Sequence, residues 1–161
     1  MITWIGSAGG PLILATQEDF ARWRGLSGDD YALACAAEGG HLSLLWLRQA
    51  MYVVLGDAPS DSAFLFCGST LAIARWEYCA SAAVANELLT NIGRTTELAP
   101  AVEVTFGGEQ LVLFDSAKDG AAAEGDAACA QAAPGTYSVT TEAYTDDVSY
   151  SFILHRFRRF S

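Results

Sequence analysis

"VEVTFGGEQLVLF" (Val102–Phe114) sets alternating apolar residues on either side of Gly107-Gly108. A two-residue turn at the glycines pairs Val104 with Leu111 and Val102 with Leu113, leaving Glu103 and Thr105 on the opposite face. The expectation is an antiparallel hairpin with one apolar side. The same arithmetic around Asp146-Asp147 pairs Ala143 with Tyr150, Thr141 with Phe152 and Val139 with Leu154, and sets His155 across from Ser138. Asp-Asp is a weaker tight-turn pair than Asp-Gly, which leaves room for a slightly longer loop.

Working back along the chain, "HLSLLWLRQAMYVVLGDAP" (His41–Pro59) reads as two strands around Arg48–Ala50, the second stopped by a Gly-Asp-x-Pro turn. "AFLFC" (Ala63–Cys67) and "TLAIARWEY" (Thr70–Tyr78) continue the pattern across a Gly-Ser break. Thr3–Ile5 and Leu12–Ala15 are short β-prone runs. Two helices interrupt the strands. Thr16 caps "QEDFARWRG", with Glu18 and Asp19 in its first turn and Gly25 as the stop. Ser81 caps "AAVANELLTNI", with Val84, Leu88 and Ile92 on one stripe and Gly93 closing the end. Residues 116–135, "SAKDGAAAEGDAACAQAAPG", hold almost no large apolar side chain and read as a flexible Ala/Gly-rich loop with one helical turn. The expected fold is α+β: a single domain over 1–161, mostly antiparallel β-sheet with hairpins and two short helices.

The composition agrees with a packed globule, since 52% of the 161 residues are hydrophobic and only 17% charged. Disordered chains show the reverse balance. A formal charge of -10 repels phosphate backbones and anionic membranes, so neither nucleic acid nor membrane is expected as a partner. "HRFRRF" (His155–Phe160) is the one basic patch, read as a solvated strand end. There is no signal-peptide pattern and no apolar run of about 18 residues. Cys35, Cys67, Cys79 and Cys129 are widely spaced without a C-x-x-C pair, so free, mostly buried thiols in a reducing cytoplasm are expected, with no metal and no cofactor.

The opening "WIGSAGGPLILA" (Trp4–Ala15) tests for catalysis. A phosphate-binding loop needs a helix starting at the glycines, yet Pro11 and a β-prone run follow. A nucleophile elbow needs G-x-S-x-G, and Ser7 is directly next to Gly6. The stretch therefore reads as a connection between strands. His41 and His155 have no signature around them, although a hydrolase or transferase pairing His155 with a serine or cysteine is the alternative from another class. An adaptor or secretion chaperone is a third.

Taken together, "WIGSAGGPLIL", "WRG" (Trp23–Gly25), "DYALAC" (Asp30–Cys35), "VLGDAP" (Val54–Pro59) and "RW" (Arg75–Trp76) resemble the pattern of the immunity protein 21 family. The resemblance covers about the first half of the chain at motif level and the rest in outline. It implies a small bacterial protein that neutralises a cognate toxin by direct binding, without catalysis, and it brings no catalytic residues. An acidic domain suits a toxin with a basic surface, such as a nuclease. The carboxylates expected at exposed turns, and hence facing that partner, are Asp29, Asp30, Asp57, Asp61, Asp146 and Asp147. Tyr31 adds an aromatic anchor. The competing role for these aspartates is turn chemistry.

Overall fold

The computed structural model describes residues 1–37, 40–56, 59–122 and 127–160. Strand makes up 50% of the chain and helix 16%, with two antiparallel sheets, so the α+β expectation holds. The strands are β1 (Leu12–Thr16), β2 (Ser43–Leu47), β3 (Ala50–Leu55), β4 (Ser62–Cys67), β5 (Thr70–Cys79), β6 (Thr96–Phe106), β7 (Gln110–Asp115), β8 (Ala127–Gln131), β9 (Gly135–Thr145) and β10 (Tyr150–Arg159). The helices are α1 (Gln17–Arg22), α2 (Asp30–Ala36) and α3 (Ala82–Thr90), with a 3-10 turn at Gly25–Ser27. The chain divides into two compact units. Unit I comprises Met1–Trp4, Asp61–Thr105 and Gly135–Ser161, and unit II comprises Ile5–Ser60 and Phe106–Pro134.

Unit II is built on a sheet of order β2-β3-β1-β7-β8. Its register sets Ile13 beside Val54 and Phe114, so residues two apart on each strand share a face. Ile13, Ala15, Tyr52, Val54, Val112 and Phe114 form that face, and Phe20, Trp23 and Ala34 from the helices pack onto it. Burying side chains of this size stabilises by roughly 1.5–3 kcal/mol each. Thr16 caps α1 as expected, its hydroxyl accepting from the Asp19 N–H at 3.2 Å. The helix ends at Arg22 rather than at Gly25, because the Trp23 indole turns inward and donates to the Ser116 carbonyl at 2.9 Å. The β2–β3 turn falls at Arg48-Gln49, both in the left-handed region with φ of 49° and 65°. That geometry matches the twist of a two-residue hairpin.

Unit I is a sheet of order β4-β5-β10-β9-β6. Ala72, Ala74, Tyr144, Phe152 and Leu154 line one face, and Ala85 and Leu89 of α3 close onto it. The small alanines let the helix approach closely. Ser81 caps α3 as expected, its Oγ accepting from the Val84 N–H at 3.3 Å. The stripe is rotated by one residue from the expected one: Val84 stays exposed, while Leu88 and Ile92 are only partly buried. The helix stops at Asn91, two residues before Gly93. Trp4, Trp76 and Phe152 extend the core, with the Trp4 and Trp76 rings edge to face at 5.1 Å. Between β5 and β10 the register slips at Ser151/Phe152. Glu77 is the extra residue of this bulge, and its carboxylate accepts from the Ser151 hydroxyl at 2.5 Å.

Three further expectations change. The Gly107-Gly108 hairpin does not form, because β6 joins β9 in one sheet and β7 joins β1 and β8 in the other. Leu111 and Leu113 find Thr16 and Leu14 as neighbours instead of valines. The β9–β10 hairpin exists, but Tyr144 pairs with Phe152 and Thr141 with His155, a shift of three residues. Asp146 causes it, by building a longer turn. Finally, the segment 116–135 contains β8, which pairs Phe114 with Ala127 and Leu111 with Ala130. Alanines have little strand preference of their own, so the edge of β7 supplies the pairing that local propensity does not.

Candidate partner-binding site

The six aspartates expected at turns meet different fates. Asp29 is exposed and precedes α2 without capping it, while Asp30 opens the helix and is buried at 2% exposure. Arg48 reaches across from the β2–β3 turn and grips Asp30 with two parallel bonds, Nη1 to Oδ1 at 3.0 Å and Nη2 to Oδ2 at 2.6 Å. The Arg24 N–H adds a third bond to Oδ2 at 2.8 Å. Burial alone pushes the Asp30 carboxyl up, but the bonds from Arg48 and the Arg24 N–H outweigh it, and the group titrates below its ordinary value. Its acceptor capacity is spent inside unit II. Asp30 is therefore no solvent-facing carboxylate, a correction that follows from its place at the start of a helix rather than in a turn.

Tyr31 is half-buried and its ring lies over the backbone of Gly10. A Cβ on Gly10 would sit 2.4 Å from the Tyr31 ring and 2.8 Å from Ser116 Oγ, so only glycine fits there. The stretch that suggested a phosphate loop is a scaffold. Its Ala8 N–H donates to Asp115 Oδ2 at 2.8 Å, and the same carboxylate accepts from the Ala117 N–H at 3.0 Å. Tyr31 is thus shared between packing and the surface.

In unit I, Asp61 is exposed at the start of β4, and its carbonyl accepts from the Trp76 N–H at 2.8 Å. Asp146 and Asp147 are exposed. The Asp146 carboxylate accepts from the N–H groups of Val148, Ser149 and Tyr150 at 2.9, 2.7 and 3.1 Å, and from the Ser149 hydroxyl. Those bonds, the Ser149 hydroxyl first, hold its carboxyl far below the usual carboxylate range. Asp147 occupies the left-handed region with φ of 64°. Asp57 lies outside the described residues. The structure thus brings Asp29, Asp30 and Tyr31 together at the start of α2 and leaves Asp61 and the Asp146-Asp147 turn in a separate unit.

His155 is fully buried in β10, with Nδ1 3.0 Å from Thr141 Oγ1. Its partner strand is β9 as expected, though the neighbour is Thr141 instead of Ser138. The cysteines are free, but Cys35 and Cys129 are exposed and Cys67 and Cys79 half-buried. They are less buried than expected because Cys35 falls on the outer side of α2 and Cys129 on an edge strand. Among the described residues no group of histidine, cysteine and carboxylate side chains could hold a metal ion, and no helix is long and apolar enough to cross a membrane.

Sequence reasoning missed Arg48 and Glu142. The Glu142 carboxylate accepts from Thr95 Oγ1 at 2.7 Å, Arg156 Nε at 2.9 Å and Thr140 Oγ1 at 3.0 Å. Burial pushes its carboxyl up, and these bonds bring it below its ordinary value. The alternation Thr140, Glu142 opposite Leu154, Arg156 was the available signal, and it needed the correct register to be read.

Asp29, Asp61, Asp146 and Asp147 are thus at the surface, whereas Asp30 and His155 are buried. The model of the family described as Immunity protein 21 matches residues 3–149, and the chain belongs to that family. No curated protein and no solved structure matches it. The family name makes this an immunity protein directed against a toxin.

Proposed function

We propose that the chain binds one cognate toxin directly and neutralises it without catalysis, in the cytoplasm, with units I and II acting as one immunity domain. The observation that carries this reading is the family match, which runs through both units. Burial of His155 supports the non-catalytic part, because a base without access to solvent cannot meet a substrate. The expected partner surface is basic. With 11 acidic and 4 basic residues, unit II carries a net charge of -7, against -3 for unit I with 8 and 5. Such a field accelerates encounter with cations and repels nucleic acid and anionic membranes. Among the described residues of the expected set, exposed Asp29, Asp61 and Asp147 are the carboxylates without the turn and ion-pair bonds that occupy Asp146 and Asp30.

Co-expression with the toxin encoded beside it tests the proposal. The expected result is restored growth together with a complex that co-purifies. A toxin shown to be active, with neither rescue nor complex, overturns it.

A further inference from the structure

Helix α2 presents an unusual surface. Only Asp30 and Ala34 are buried, and its solvent arc is Ala32, Leu33, Cys35 and Ala36, with no charged side chain. A surface helix ordinarily turns polar residues to water. The 3-10 turn packs directly against α2 and exposes a second leucine, so Leu26 at 68% and Leu33 at 41% exposure lie on neighbouring elements. Scattered exposed leucines need no explanation, but an uncharged helical arc beside another exposed leucine is a patch.

The same segment is anchored from beneath. Asp30 is locked by Arg48 and by the Arg24 N–H. Gly25 has φ of 50° and meets the Lys118 carbonyl oxygen 2.3 Å from where a Cβ would be, so the turn admits only glycine. The Ser27 hydroxyl donates to Asp119 at 2.9 Å, and the Leu26 N–H donates to the Ala117 carbonyl at 3.3 Å. None of these bonds uses the leucine side chains. The apolar face is therefore held in place before any partner arrives, which lowers the ordering cost of binding.

Charge decides the occupant. The patch belongs to the unit with a net charge of -7; exposed Asp29 stands at the start of α2 beside it, and the exposed Arg24 side chain, lying over Gly28, only partly offsets that charge. An apolar centre with an acidic border complements an apolar centre with a basic border. We propose that the outer face of the 3-10 turn and α2, centred on Leu26 and Leu33 and edged by Asp29, is the docking surface for a basic face of the toxin. This rests on the toxin-binding reading above and adds the place of contact.

The test measures binding kinetics of the purified toxin on the full chain and three variants. The double variant L26S/L33S should dissociate at least tenfold faster with a melting temperature lowered by only about 2–4 °C, because Leu26 is 68% and Leu33 41% exposed in the free protein. Asp29→Lys should slow association several-fold and flatten its dependence on salt, with little change in dissociation. Phe66→Ser, which alters an exposed aromatic of unit I, should bind as the parent does. Parent-like binding by L26S/L33S and by Asp29→Lys, while the unaltered chain binds normally, overturns the surface and leaves the toxin-binding reading standing. Loss of binding in Trp46→Ser alone does the same, since Trp46 leaves β2 on the side opposite to Leu45 and Leu47, which pack on the core beneath the helices. A dimer of the free protein that L26S/L33S dissociates also overturns it, by assigning the patch to a second copy. An unaltered chain that binds no active toxin removes both readings together.

Discussion

Two aspartate doublets look alike in the sequence and do opposite work in the fold. Asp146 accepts three backbone N–H groups and one hydroxyl from the four residues that follow it, entirely within its own turn. Asp30 accepts from Arg48, 18 residues on, and so joins a helix to a hairpin. The first doublet shapes a local loop; the second ties a tertiary junction. What separates them is the element that follows: Asp29-Asp30 opens a helix that turns its second member inward, whereas Asp146-Asp147 closes a hairpin whose tip stays in water.

Removing Asp30 should therefore have the largest effect on stability. Asp30→Ala leaves Arg48 and the Arg24 N–H without their acceptor, and breaking a buried pair from one side costs about 3–5 kcal/mol. Arg48 is 40% exposed on its side chain and can be partly rehydrated, so about 2–3 kcal/mol is expected. Calorimetry should show a melting temperature lower by roughly 4–12 °C for a chain of this size. Because folding lowers the Asp30 carboxyl below its ordinary value, the contribution is complete above about pH 4 and disappears as the pH falls through the folded value. The gap between parent and Asp30→Asn should therefore narrow on acidification, and a gap that widens would show that Asp30 is not held ionised in the fold.

Asp146→Ala comes next, with a smaller fall in melting temperature and faster amide exchange confined to Val148, Ser149 and Tyr150. Exchange that spreads through β9 and β10 would show that this doublet is tertiary as well. Asp147→Gly should change stability by no more than about 0.5 kcal/mol, since aspartate tolerates the left-handed region and glycine loosens the unfolded chain. Smallest is Asp29→Lys, which should leave the melting temperature within about 1–2 °C of the parent, because an exposed residue that caps nothing has little to lose.

The same contrast explains what could be read from the sequence. Both helix caps, Thr16 and Ser81, were legible because a cap is satisfied within three residues. The Arg48-Gln49 turn was legible for the same reason, lying between two apolar runs that pair directly. Partner choice between strands is a tertiary matter. Val102 and Val104 could pair with Leu111 and Leu113 by every local rule, yet β1 supplies Leu14 and Thr16 and takes β7 instead. The register of β9 against β10 failed by three because Asp146 offers one carboxylate to several amides, and that loop is wider than a two-residue turn. Of the candidate residues, Asp29, Asp61, Asp146 and Asp147 lie at exposed positions as expected, while Asp30 is buried, a placement hidden from local reading because its partner Arg48 is distant in sequence and carries no motif.

The position of β10 has a consequence for how the molecule comes into being. It is the last strand in chain order and the middle one of its sheet, between β5 and β9. During vectorial synthesis β4 and β5 can zip together early, and β9 and β6 can meet later, but these remain two detached strand pairs until β10 emerges and bridges them. An isolated pair is marginal in water. Folding of unit I is thus gated by the docking of β10, and until it docks both strand pairs carry exposed edges.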